Sequence, residues 1–173
     1  VAARTDMSKN LREGLSGFLV PRQAQGFSTG RVHEKVGQRL SMNSELFFEN
    51  VEVPEEHLIL GEGRMWEIRG RLLSSGKPEA AANCVGVGRA AFEKSLAHSR
   101  ERFQGGKLIG EHQSVAAMLA DMAIGLDLAR TMVYRSAWAV NHQDPYDFTL
   151  GWKAKVFASE VAFDCARWGV EIF

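Results

Sequence analysis

The sequence predicts an α+β, multidomain chain in which a sheet comes first and an up-down antiparallel helical bundle follows. Three observations carry this. In ELFFENVEVP, Glu45 to Pro54, Leu46 and Phe48 face one way while Phe47 and Glu49 face the other, and the alternation resumes at Val51, Glu52 and Val53. That is the period of a half-buried strand. At Gly61 to Gly63 the period changes, and from Met65 onward apolar residues recur every three or four positions. Val115, Leu119, Met122, Leu126, Ala129 and Val133 then hold a 4-3-4-3-4 spacing, the seam of a helix packed nearly antiparallel on its neighbours.

The first region, residues 1–63, carries strand signals at Gly17 to Pro21 (GFLVP), at Arg31 to Gly37 (RVHEKVG) and at Glu45 to Pro54. Ser16-Gly17, Gln25-Gly26 and Thr29-Gly30 read as turns between them. Arg39, Ser41, Asn43 and Ser44 read as a polar hairpin rather than as ligand contacts. The second region, residues 64–173, opens with a helix carrying Ala81, Val85, Gly88, Phe92 and Leu96 on one face. Pro78 lies early in it, so the helix should kink or restart there, since proline removes a donor and clashes with the preceding turn. The small residues Ala80 to Ala82, Gly86 and Gly88 would admit a close neighbour. After the Asn141 to Asp147 break, a third helix shows Phe157, Val161, Cys165, Trp168 and Ile172 on one face. Three long helices with short connections imply a bundle whose fourth member is absent or supplied beyond Phe173. The chain opens at Val1 in what reads as the end of a strand and stops at Phe173 inside a helix, so a portion of a longer protein is expected.

With 21 basic and 21 acidic side chains the chain has no general electrostatic preference for nucleic acid or an anionic membrane. No apolar run is long enough to span a bilayer, and the expectation is a soluble, cytoplasmic protein. Cys84 and Cys165, the only cysteines, are far apart in apolar helical patterns and read as two buried thiols. His33, His57, His98, His112 and His142 lack ligand spacing, so no metal site is implied.

The stretch best suited to a ligand is Arg102 to Gln113, RFQGGKLIGEHQ, between two long helical patterns. A guanidinium, a turn on Gly105 and Gly106, and the helix start at His112 and Gln113 together suit an anion such as a phosphate. A solvated corner between helices fits the same residues.

The order of these features resembles the acyl-CoA dehydrogenase family over nearly the whole chain. The resemblance is carried by GFLVP with GFSTG at Gly26 to Gly30, EKVGQR at Glu34 to Arg39 and FFENVEVPEEHLILGEG at Phe47 to Gly63. It continues through ERFQGGKLIGEHQ at Glu101 to Gln113, LADMA at Leu119 to Ala123 and KVFASE at Lys155 to Glu160. It implies that residues 1–63 are the second half of the family's middle β domain, part of an antiparallel β-barrel or sandwich. Residues 64–173 would be most of its C-terminal helical bundle, without the last helix.

The family reaction is an α,β-dehydrogenation of an acyl-CoA thioester, in which a carboxylate removes the α-proton and the β-hydrogen leaves as hydride to flavin N5. By position, Arg102, Phe103, Gln104, His112 and Gln113 match the segment that touches the adenosine–pyrophosphate part of FAD, often that of a neighbouring subunit. Glu171, Ile172 and Phe173 match the start of a second FAD contact. Ser74, Ser75, Gly76 and Lys77 match the substrate-binding corner. Three positions depart from the pattern: Gly105 stands where an aromatic residue is common, Glu171 where glutamine is usual, and Lys77 where arginine is usual. A carboxylate beside a pyrophosphate is repulsive unless it points away.

Some members carry the catalytic base one residue before that arginine, where this chain has Gly76; most others place it in a segment corresponding to positions after Phe173. No catalytic residue is therefore assigned, and Glu79 reads as solvent-facing. The resemblance further implies an electron-transferring flavoprotein as electron acceptor and a homotetrameric, dimer-of-dimers or hetero-oligomeric assembly. A non-catalytic subunit, and an oxidase or monooxygenase on the same fold, are the competing readings.

Overall fold

A computed structural model describes residues 1–173 except Gly70, Arg71 and Ser74. The Ser74 assignment therefore lies outside the described residues. Two compact units result, Val1–Gly70 and Arg71–Phe173.

In the first unit, β1 (Ala2–Arg4), β2 (Leu15–Phe18) and β5 (Leu58–Ile59) form an antiparallel sheet in the order β1-β2-β5. The strands β3 (Phe27–Val32) and β4 (Ser44–Phe48) form a separate antiparallel pair. Two of the expected turns prove to be strand. Ser16 and Gly17 lie inside β2, where the Ser16 hydroxyl sits 2.6 Å from that of Thr5 and accepts the Gly63 N–H at 2.9 Å. Gly17 is there for space, because a Cβ at this position would stand 2.7 Å from the Met65 sulfur. Thr29 and Gly30 lie inside β3; only Gly26, with φ of 82°, is a turn glycine as expected.

The strand expected over Arg31 to Gly37 is mostly loop, since β3 ends at Val32. Likewise β4 ends at Phe48, and Asn50 turns the chain with φ of 50°, so Val51 to Val53 never pair. The half-buried sheet is not observed either: Leu46, Phe47 and Phe48 are 50%, 47% and 41% exposed, so neither face of β4 is covered by the described residues. Phe27 and Phe48 do pair across the strands, with ring centroids 5.2 Å apart.

Helix α1 (Met65–Ser75) begins where the period changes. Helix α2 (Lys77–Glu101) restarts after Gly76 with Pro78 in its first turn, where the missing N–H is harmless. A short hairpin, β6 (Phe103–Gln104) and β7 (Lys107–Leu108), and a 3-10 turn at Ile109–Glu111 lead into α3 (Gln113–His142). Helix α4 (Thr149–Ile172) starts from Asp147, whose carboxylate accepts the Thr149 N–H at 2.9 Å. Hydrogen bonds from Thr149 hold that carboxyl below its ordinary pKa. No helix among the described residues is long and apolar enough to cross a membrane.

The core of the second unit is where the seam of α3 places it: Leu119, Met122, Leu126, Ala129 and Val133 are buried, and Val115 is half-buried. The buried line of α4 shares Cys165 and Ile172 with the expected one and is otherwise made of small residues. It runs through Gly151, Ala154, Ala158, Ala162, Cys165, Gly169 and Ile172, while Phe157, Val161 and Trp168 flank it, half-buried. Small residues occupy the centre because α4 lies close against α2. A Cβ at Gly88 would be 3.3 Å from the Ala162 Cα, and one at Gly169 would be 3.3 Å from the Ser95 hydroxyl. At this contact α2 buries Ser95 and Ser99, whose hydroxyls donate to the Ala91 and Leu96 carbonyls at 2.8 Å, so neither hydroxyl is stranded by the close approach. Cys165 is buried and its thiol pushed up by desolvation; Cys84 is only half-buried, against the expectation of two buried thiols.

Candidate functional site

The corner singled out from the sequence is a two-residue hairpin. Gly105 and Gly106 have φ of 66° and 84°, both left-handed, and they join two strands whose register pairs Gln104 with Lys107. Such a turn matches the natural twist of the ribbon and demands residues that tolerate positive φ. The hairpin is fixed at both ends. At its root the Arg102 N–H donates to the His98 carbonyl at 2.9 Å, closing α2, and the Ile109 N–H donates to the Arg102 carbonyl at 2.9 Å. At its tip His112 Nε2 lies 3.0 Å from the Gln104 carbonyl, so this nitrogen carries the hydrogen. The His112 ring also packs on Gly105, where a Cβ would stand 3.2 Å from Cε1. A side chain at that position would press on the His112 ring, and the positive φ also favours glycine. Glycine at 105 and histidine at 112 thus form one unit.

What the corner presents outward is cationic and polar. Arg102, Phe103 and Gln104 are exposed, and the Arg102 guanidinium has no ion pair or hydrogen-bond partner among the described residues. Lys107 is turned inward, its ammonium donating to the Glu111 carbonyl at 2.8 Å. Gln113 starts α3, and no side chain caps that helix. Uncapped first-turn N–H groups carry the positive end of the helix dipole and favour an anion.

The end of α4 is brought to this corner by a residue that sequence reasoning passed over. The His98 ring stacks on Phe173 with centroids 4.3 Å apart and planes 15° from parallel, while the His98 carbonyl holds the Arg102 N–H. Two segments far apart in sequence therefore share one histidine. Only its position four residues before Arg102, the spacing of a helix C-cap bond, could have pointed to it. Of the α4 residues, Glu171 and Phe173 are exposed, whereas Ile172 is buried in the core and offers an outside ligand no side chain.

At the other end of α2, Gly76 precedes the helix and Lys77 is its first residue. The Lys77 ammonium lies 4.6 Å from the centroid of the Trp152 ring, in the first turn of α4. The Ser75 hydroxyl donates to the Leu72 carbonyl at 3.3 Å. Glu79 is exposed, and position 76 has no side chain with which to take a proton.

Residues 65–173 match the family model described as the C-terminal domain of acyl-CoA dehydrogenase. The chain belongs to the acyl-CoA dehydrogenase family. It is 35% identical to the short-chain-specific acyl-CoA dehydrogenase of Clostridium acetobutylicum over 173 residues, all of this chain and 45% of that protein. The butyryl-CoA dehydrogenase of Megasphaera elsdenii superposes with a TM-score of 0.92 at 34% identity, over 99% of this chain and 44% of that one. PigA, solved with FAD and proline, superposes with a TM-score of 0.88 at 28% identity, over 99% of this chain and 44% of that one. The chain thus spans less than half the length of the acyl-CoA dehydrogenases it matches.

The residues present fit a dinucleotide's phosphates in part. Beside the hairpin, the guanidinium of Arg102 offers a full positive charge and the uncapped start of the 30-residue α3 a partial one, neither with a side-chain partner among the described residues. Glu171 is the one exposed member of the set with the opposite sign.

Proposed function

We propose that this chain is part of an FAD-dependent acyl-CoA dehydrogenase, an enzyme that removes two hydrogens across the α–β bond of an acyl-CoA thioester. The observation that carries the reading is the Arg102 corner: a free guanidinium on a rigid hairpin, tied through His98 to the end of α4. Those are the two segments that family position assigns to FAD. In this reading residues 1–63 are the C-terminal part of the middle β domain, and residues 64–173 are the helical bundle without its last helix.

Arg102 binds the pyrophosphate through charge-assisted hydrogen bonds. Gln104 and Gln113 add polar contacts, Phe103 offers an aromatic face to the adenosine, and His112 keeps the hairpin in shape by holding the Gln104 carbonyl. Glu171 points away from the phosphates, since its charge would oppose them. When bound, FAD supplies the hydride-accepting chemistry that no side chain has. Ser75, Gly76 and Lys77 line the substrate corner, with Lys77 providing a cation to the thioester ligand. The catalytic base is a carboxylate from outside residues 1–173, because Gly76 has no side chain.

The identity to the Clostridium enzyme makes a short-chain thioester the first substrate to try. An electron-transferring flavoprotein is the proposed electron acceptor, and Arg102 of one subunit meets the FAD of another in a dimer of dimers. Oxidase chemistry on the same fold is the second reading, supported by the likeness to the prolyl acyl carrier protein oxidase AnaB, which superposes with a TM-score of 0.89 at 28% identity.

The test uses the intact protein that contains this sequence. Anaerobic addition of butyryl-CoA, then of a panel of longer and branched thioesters, is expected to bleach the flavin absorbance. Arg102→Ala is expected to weaken FAD binding by about ten- to a hundredfold, the size of a lost charged hydrogen bond. A flavoprotein that no thioester bleaches sinks the dehydrogenase reading, and rapid oxygen uptake by the reduced protein favours the oxidase.

A further inference from the structure

We propose that Trp152 is a positioning residue: its ring holds the Lys77 ammonium at the substrate corner, doing for a lysine what the rigid fork of an arginine does unaided. The inference rests on the reading above, in which Lys77 faces the acyl-CoA ligand.

A lysine at the start of a helix is in an unfavourable place. Its charge opposes the positive end of the α2 dipole, and its four-carbon stem leaves the ammonium free to swing into solvent. Among the described residues no carboxylate pairs with Lys77, and Glu79 on the same helix is exposed and forms no ion pair with it. The restraint seen among the described residues is aromatic. Trp152 presents its ring face with the centroid 4.6 Å from the ammonium, inside the range over which a ring quadrupole attracts a cation. Trp152 is 47% exposed and does not belong to the core of the bundle, so a large apolar side chain is kept in water at the one place where it meets this cation. An ammonium resting on a ring keeps its remaining hydrogens free for an acceptor, whereas a salt bridge would neutralise it. Trp152 therefore both restrains Lys77 and leaves its charge available to an anionic or carbonyl oxygen of the ligand.

The experiment compares five variants of the intact enzyme: Trp152→Ala, Trp152→Phe, Lys77→Ala, Lys77→Arg and the double variant Lys77→Arg with Trp152→Ala. Each is assayed with the thioester turned over fastest in the panel, and FAD content and Tm are recorded alongside. Trp152→Ala should raise KM by about two- to fivefold with kcat within about twofold, the magnitude of an exposed cation–π contact. Trp152→Phe should recover part of the loss, because a smaller ring still attracts the cation. With Lys77→Arg in place, removing Trp152 should raise KM by less, since the guanidinium is preorganised.

A KM that rises in Lys77→Ala but not in Trp152→Ala overturns the positioning role and leaves the substrate corner intact. A KM unmoved by Lys77→Ala overturns the corner assignment itself. Equal KM effects of Trp152→Ala and Trp152→Phe, accompanied by lost FAD or a lowered Tm, would make Trp152 a packing residue and refute the proposal.

Discussion

The helical unit and the strand unit use their apolar residues in opposite ways. In the bundle Ala81, Met122, Ala129, Ala154, Ala158 and Cys165 are wholly buried, and larger side chains such as Phe92, Leu96 and Trp168 pack around them. In the strand unit the only fully buried positions among the described residues are Gly14, Ser16 and Gly17, while Leu46, Phe47 and Phe48 stand half in solvent. The difference follows from hydrogen bonding. A helix satisfies its backbone internally, so three helices need only side-chain contact to bury a stripe. Two- and three-stranded sheets satisfy part of their backbone and have too little area to cover either face. Residues that alternate like a half-buried sheet therefore do not by themselves supply the layer that buries it.

This contrast can be broken by substitution, with thermal or denaturant unfolding of the intact protein as the measure. Met122→Ala should have the largest effect, a loss of about 2–5 kcal/mol, because Met122 is fully buried at the centre of the α3 seam and a cavity replaces it. Gly88→Val should come next. A Cβ there meets Leu126 Cδ2 at 3.0 Å, and overpacking of about 1–3 kcal/mol should exceed the gain of roughly 1 kcal/mol or less in helix propensity. Phe47→Ser should be smallest, within about 0.5 kcal/mol as for a surface position, provided its side chain stays as exposed in the intact protein as it is within residues 1–173. A loss above about 2 kcal/mol at Phe47 would show the strand unit to be covered as tightly as the bundle and would end the contrast; a neutral Met122→Ala would do the same from the other side.

The bundle was legible in the sequence because its signals are local and redundant. The seam of α3 repeats over several turns, and the restart at Pro78 follows from a missing donor. The expected face of α4 was right at Cys165 and Ile172 and off-centre elsewhere for a physical reason. Hydropathy favours Phe157, Val161 and Trp168, yet close packing on α2 selects Ala154, Ala158 and Gly169, whose value is their small size. In the strand unit, Ser16-Gly17 and Thr29-Gly30 look like turns because glycine usually provides conformational freedom; at Gly17 it provides room for Met65 instead. The hairpin corner was visible in its glycines and arginine. The rest of the site was not. The contacts of His98 with Phe173 and of Lys77 with Trp152 each join helices distant in sequence, and no periodicity within one helix reports on such a meeting.

The single imidazole of His98 has a mechanical implication. Its backbone carbonyl accepts the hydrogen bond that closes α2 at Arg102 and its ring stacks on Phe173, so the hairpin root and the tip of α4 meet at one residue. Because α2 and α4 also pack along their length, this stack adds one more link between the arginine corner and the end of the chain's last helix.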